Sequence, residues 1–233
     1  MERTIRNPGR VAGLLYLLLV LAGPFRVIYI PSRLFVHGNA TATAANIAAH
    51  ETLFRAGIVT DLVATVILIF LTLALYRLFK GVSPSLAALV VILGGLMPAA
   101  IYFFNSMNDV AALTLVRGPE FLSAIGKPER DALAMFFLNM HGQVWTAGEI
   151  YYGLWPFPLG ILTYRSRMLP RFLGVWLIVN GFAYLTLFLA GYLFPRYEDP
   201  ISTILFPILF GEIAFMLWLV IFGSREPRPA AAA

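Results

Sequence analysis

Long apolar runs separated by short polar turns organise this chain. Six runs are long enough to cross a bilayer as helices, at residues 11–30, 52–79, 84–116, 131–164, 169–194 and 201–222. The third and fourth exceed the roughly 20 residues that a crossing needs, so they must tilt, kink or project. The pattern predicts an all-α, polytopic transmembrane bundle of six helices. An Ala-rich stretch at 41–50 predicts a helical turn or two before the second run, and 118–126 reads as a short surface helix. The expected organisation is a cytoplasmic N-terminus at 1–10, a single six-span domain at 11–223 and a disordered cytoplasmic tail at 224–233. A basic start, an apolar run and Val20-Leu21-Ala22 resemble a signal peptide, but the first run is read as a retained helix.

Composition strengthens this picture. Of 233 residues, 60% are hydrophobic and 12% charged, about half the charge of a soluble domain. There is no cysteine, which excludes disulfides, thiolate metal sites, iron–sulfur clusters and a cysteine nucleophile.

The net charge of +5 is a matter of topology. One side of the six-span layout collects Arg3, Arg6, Arg10, Arg77, Lys80, Arg165, Arg167, Arg171, Arg225 and Arg228 against only Glu2 and Glu226. Acids balance the bases on the other side. The positive-inside rule places both termini in the cytoplasm, in a multi-pass protein of the cell inner membrane, with no nucleic-acid partner.

Four acids lie inside the apolar runs: Asp61, Asp109, Glu149 and Glu212. An intramembrane acid is by default a functional hypothesis. Counting along each helix from the basic belt places Arg26, Asp61 and Glu149 each 16 residues deep and Glu212 13 deep, or ~20–24 Å at ~1.5 Å per residue. Arg55, Asn105 and His141 fall further out, and Asp109 is expected near the outer surface. The deep layer thus sets one cation, Arg26, against three acids. Arg26 is expected to neutralise one carboxylate, Asp61 or Glu149, or to bridge two through its forked donors. Arg55 reaches toward another, and at least one acid is left to bind a proton, a cation or a polar substrate.

Asn105, Asn108 and Asp109 share one helix face. His141, Trp145, Gly148, Glu149 and Tyr152 form a stripe, and Asp61, Thr65 and Thr72 a weaker one. Helix breakers lie close by: Gly23-Pro24, Gly94-Gly95 with Pro98, Pro156 with Pro158, and Pro207.

His37, His50 and His141 are the three histidines, with no HExxH spacing, and a haem held by two intramembrane histidines is excluded. Nothing calls for a cofactor or a metal, although His141 with Glu149, Asp61 or Glu212 stays geometrically open as a ligand set. Nucleotide-binding and hydrolase motifs are missing. Asn39-Ala40-Thr41 matches a glycosylation triplet on the outer side.

Thr43-Ala44-Ala45-Asn46-Ile47, Leu53-Phe54-Arg55-Ala56-Gly57-Ile58 with Asp61-Leu62, His141 followed by Gly148 and Tyr152-Gly153, and Leu169-Pro170-Arg171-Phe172-Leu173-Gly174 follow one another along the chain as a set. In these stretches it resembles a bacterial family of six-span membrane proteins catalogued only as a domain of unknown function, number 4386. The resemblance implies an inner-membrane helical bundle and supplies no substrate, reaction or catalytic residue. Arg55, Asp61 and His141 fall inside its characteristic stretches; Glu149 and Glu212 do not.

The leading expectation is a transporter-like protein with an outward-facing acid-rich site that binds a cation, a proton or a small polar or amphiphilic ligand. Arg26 and Arg55 organise it, Asp61, Glu149 and Glu212 bind or relay charge, and Asn105 and His141 line it. The alternatives are an intramembrane lipid-modifying enzyme using His141 or Glu149 as acid or base, and a non-catalytic accessory or sensor protein whose polar residues stitch helices. Membrane lipids are the expected surroundings, and a monomer and a homodimer both remain open.

Overall fold

A computed structural model of the chain describes residues 7–225. The predictions for residues 1–6 and 226–233, which include Arg3, Arg6, Arg228 and most of the tail, lie outside them.

All regular structure among the described residues is helical. The helices are α1 (Pro8–Pro24), α2 (Ile30–Leu34), α3 (Ala40–Ala49), α4 (Glu51–Phe79), α5 (Pro84–Val91), α6 (Met97–Arg117), α7 (Lys127–Leu154), α8 (Pro156–Ser166), α9 (Arg171–Leu193) and α10 (Glu198–Ile221). A π-helical turn at Phe25–Tyr29 joins α1 to α2, and another at Ile92–Leu96 joins α5 to α6. Among the described residues, five continuous helical segments are long and apolar enough to cross a membrane: Pro8–Leu34, Glu51–Phe79, Pro84–Arg117, Arg171–Leu193 and Pro195–Ile221. The fourth predicted run is broken at Trp155 into α7 and α8, and α7 carries charged residues in its first turns. The short helix expected at 118–126 is a single 3₁₀ turn, Glu120–Leu122. Gly118 at φ +57° ends α6 in a left-handed conformation, and Pro119 follows it.

Both π turns have the same local cause. Each stands two residues before a proline, Pro31 or Pro98, which has no N–H to give a regular helical bond. The ladder widens by one residue instead: Ile30 N–H reaches Phe25 O, and Met97 N–H reaches Ile92 O. Such turns are frequent at functional sites, and the first one carries Arg26.

The chain divides into two compact units. One comprises residues 19–66 and 99–147. Its apolar core joins Ile30 and Leu34 of α2, Ile47 of α3, Phe54 and Ile58 of α4, Ala112 and Leu113 of α6 and Leu138 of α7. The α2–α3 connection is pinned by polar contacts. Val36 N–H donates to Thr43 Oγ1 at 2.9 Å, and Asn46 Nδ2 donates to Leu34 O at 3.2 Å. Asn39, the first residue of the glycosylation triplet, caps α3 by accepting from Ala42 N–H. On α4, Val59, Val63 and Val66 form an exposed apolar stripe, the face a bilayer would cover.

The other unit comprises, among the described residues, 7–18, 67–98 and 148–225. Here α8 and α9 pack backbone against backbone: a Cβ on Gly160 or Gly174 would stand 2.6 Å from the other's carbonyl oxygen. Small residues allow such approach between membrane helices. α9 is tied to α10 by Trp176 Nε1 donating to Ile208 O (2.9 Å) and Asn180 Nδ2 donating to Leu209 O (3.1 Å).

Candidate functional site

In the first of these units, the π turn, α4, α6 and α7 bring four ionisable side chains into one buried cluster. Arg26 Nε donates to Asp61 Oδ2 at 2.7 Å. Its Nη2 donates to Asp109 and lies 3.1 Å from His141 Nδ1. That same imidazole nitrogen is 3.2 Å from Asp109 Oδ1. The carboxylates are nearly sealed, with side chains 4% and 1% exposed, against 19% for His141. The forked guanidinium thus bridges two carboxylates on different helices, the geometry for which arginine is better suited than lysine.

The local sequence explains the reach of Arg26. Gly57 stands one helical turn before Asp61 on α4, and a Cβ there would lie 2.5 Å from Ile30 Cδ1 and 3.6 Å from Arg26 Cδ. Without a side chain at 57, the arginine stem crosses α4 to the carboxylate. Asn105, one turn before Asp109 on α6, is 1% exposed, and neither its Nδ2 nor its Oδ1 meets a hydrogen-bond partner among the described residues. Asn108 Nδ2 and Asp109 Oδ1 are in the same condition. Buried polar atoms without partners are uncommon and call for an explanation.

Formal charges decide what the cluster can do. One guanidinium opposes two carboxylates, so with neutral His141 the group carries one net negative charge in a low-dielectric setting. A proton on His141 would balance it and would give Asp109 Oδ1 a charged donor. With neutral His141, Nδ1 either accepts from Arg26 or donates to Asp109. Asp61, Asp109 and His141 can also each offer one ligand atom, all within 4.8 Å of one another. Two carboxylates and an imidazole form a plausible divalent-cation set. In this structure the Arg26 guanidinium touches all three residues, so a metal would have to displace it.

Several expectations need correction. Asp109 is among the most buried polar residues and sits at the centre of the cluster, instead of near the outer surface. Counting residues along a helix gives a height and does not say which neighbouring side chains a residue faces. Arg55 does not reach a deep acid. It pairs with Glu51 one turn earlier, at 2.7 Å, and is half exposed. Arg26 pairs with Asp61 and Asp109, not with Glu149. The ligand set that His141 joins contains Asp61 and Asp109, without Glu149 or Glu212. Thr65 and Thr72 turn back to their own helix, donating to Asp61 O and to Leu68 and Ile69 O, so that stripe does not extend the site. Trp145 meets Tyr102 edge to face, ring centroids 5.6 Å apart.

Glu149 and Glu212 belong to the other unit. Glu149 is half-buried and has no ion-pair partner among the described residues. Glu212 Oε2 accepts a hydrogen bond from the Tyr16 hydroxyl. The sequence did carry a signal for one missed pairing, the i, i+4 spacing of Glu51 and Arg55.

The family model described as Domain of unknown function (DUF4386) matches residues 11–223. An uncharacterized protein of Archaeoglobus fulgidus is 28% identical over 143 residues, covering 59% of this chain and 81% of that relative. No solved structure matches the chain.

Proposed function

Since the chain belongs to the DUF4386 family, whose description carries no activity, we propose its function from one site: it is a multi-pass membrane protein, of carrier or relay type, that takes up a proton or small cation at Arg26, Asp61, Asp109 and His141. The observation that carries this reading is the unbalanced charge. Arg26 is shared between two sealed carboxylates, and His141 Nδ1 stands 3.2 Å from the Asp109 oxygen that Arg26 leaves unbonded. A purely structural ion pair accounts for Arg26 and Asp61, but not for a second acid or for the unpartnered amide of Asn105. Asn105 extends the site by one turn as a neutral donor and acceptor for the incoming species.

The same reading includes six crossings, with α7 and α8 together supplying the sixth, and places the basic ends on the cytoplasmic face of the cell inner membrane. Arg55 lies outside the site on this reading, and Glu149 serves as a separate protonatable group.

Proton uptake by purified protein after a pH drop through neutrality tests the proposal. The parent should take up about one proton more per chain than Asp109→Asn, which balances the charge permanently, or than His141→Gln. Uptake identical in all three would sink the idea. If uptake differs between them, added Zn²⁺ or Mg²⁺ tells the occupants apart: a cation that uses the site suppresses the proton step as its concentration rises.

A further inference from the structure

The unit that holds α9 and α10 contains an acid of its own, half-buried as a residue but with a buried Oε1. Glu212 Oε2 accepts from the Tyr16 hydroxyl of α1, while Oε1 is buried with no hydrogen-bond partner among the described residues. Farther along the two helices, a Cβ on Gly13 of α1 would meet the backbone of Leu219 and Val220 at 2.7–2.8 Å. The Trp155 ring lies 6.2 Å from that of Tyr16. From α9 the neighbouring donors are Trp176 and Asn180, both neutral and both committed to carbonyls of α10.

The charged and titratable groups of these elements either have other partners or stand elsewhere along them. Arg10 donates to Ile221 O at the end of α10. Arg171 lies over the Tyr164 ring. Tyr184 meets Tyr152, and Tyr192 meets Phe188. Glu149 and Tyr151 stand on the last turns of α7. Arg196, Tyr197, Glu198 and Asp199 lie at the opposite end of α10, ~20 Å along the helix from Glu212. No described cation pairs with Glu212.

We infer that Tyr16 and Glu212 form a second, separate proton-binding site, in which Glu212 holds its proton as a neutral carboxylic acid at neutral pH and the Tyr16 hydroxyl orients it. An ionised carboxylate buried with one neutral donor and no cation is far costlier than the protonated acid. The step is simple: hydronium from the solution gives its proton to the carboxylate and leaves as water, an O–H bond forms on Oε1, and nothing is oxidised or reduced. The inference uses different residues from the Arg26 cluster, so either reading can fail while the other stands.

Infrared spectra of the full chain in lipid at neutral pH test it, read in the carbonyl-stretch region of protonated carboxyls. The parent should show a band that shifts on ¹³C-glutamate labelling, disappears in Glu212→Gln and persists in Glu149→Gln. Tyr16→Phe should move it to higher frequency, because the carbonyl loses its hydrogen bond. No glutamate band in the labelled parent would overturn the inference, as would a band unchanged in both Glu212→Gln and Tyr16→Phe. The labelled parent and Tyr16→Phe keep the test valid even if Glu212→Gln does not fold.

Discussion

Arg26 reaches Asp61 by crossing α4 at Gly57, where a single added methyl group would collide with Ile30 at 2.5 Å and touch the arginine stem at 3.6 Å. The ion pair and the glycine are therefore one device. The missing side chain at 57 leaves room for the arginine stem, and a side chain larger than alanine would push on both the core and the cluster.

Gly57→Ala should change stability by less than about 1 kcal/mol, because the collision is with the end of the Ile30 side chain and alanine gains helix propensity, whereas Gly57→Leu should destabilise by about 1–3 kcal/mol through overpacking. Thermal unfolding in detergent measures this. The alanine variant should leave proton uptake near the parental value, because the added methyl group, 3.6 Å from Arg26 Cδ, is in ordinary contact with the arginine stem. A fully parental melting curve for Gly57→Leu would contradict the packing described.

Removing the cation should cost more than removing an acid. Arg26→Met strands two buried carboxylates, and breaking a buried pair typically costs about 3–5 kcal/mol. Asp61→Asn and Asp109→Asn added to Arg26→Met should recover much of that loss, since the triple variant leaves no charge uncompensated. Arg26→Lys should fall between, because an ammonium lacks the planar fork that spans both acids. Unfolding midpoints across this series read the ordering directly.

Arg55→Gln should change little. Its partner Glu51 is an i, i+4 neighbour, and both side chains are substantially exposed. Such pairs contribute no more than about 0.5 kcal/mol. Stability and proton uptake should both remain near the parental values, in contrast to every substitution in the cluster.

The α8–α9 contact gives a prediction independent of charge. Gly160→Val or Gly174→Val places a branched side chain where a carbonyl oxygen now lies 2.6 Å from the Cβ position. Either should lower stability by about 1–3 kcal/mol or more. Val175, exposed beside Gly174, should tolerate Ala with almost no change in midpoint.

Hydropathy made the helices legible because no other structure satisfies backbone hydrogen bonds across so many apolar residues in lipid. Five of the apolar runs are continuous helical segments, and the breaks at Trp155 and at the two π turns fall next to prolines visible in the sequence. The cost of burying charge likewise singled out Arg26, Asp61 and His141 as unusual. Their partners were harder to read. Rise per residue gives a height along one helix, but pairing depends on how each helix is rotated and tilted against its neighbours. Asp109 was therefore misplaced as a surface group, and Arg55 was drawn inward although Glu51 stood one turn away.

Periodicity and hydropathy thus sufficed for the class of fold and for the kinds of residue that have to find partners in it, because both follow from the transfer of side chains and backbone out of water. Packing alone decided that Arg26 faces Asp61, Asp109 and His141, and that Glu212 faces Tyr16. Those contacts rest on close approaches such as Gly57 to Ile30, which are properties of three-dimensional shape and leave no period in the sequence.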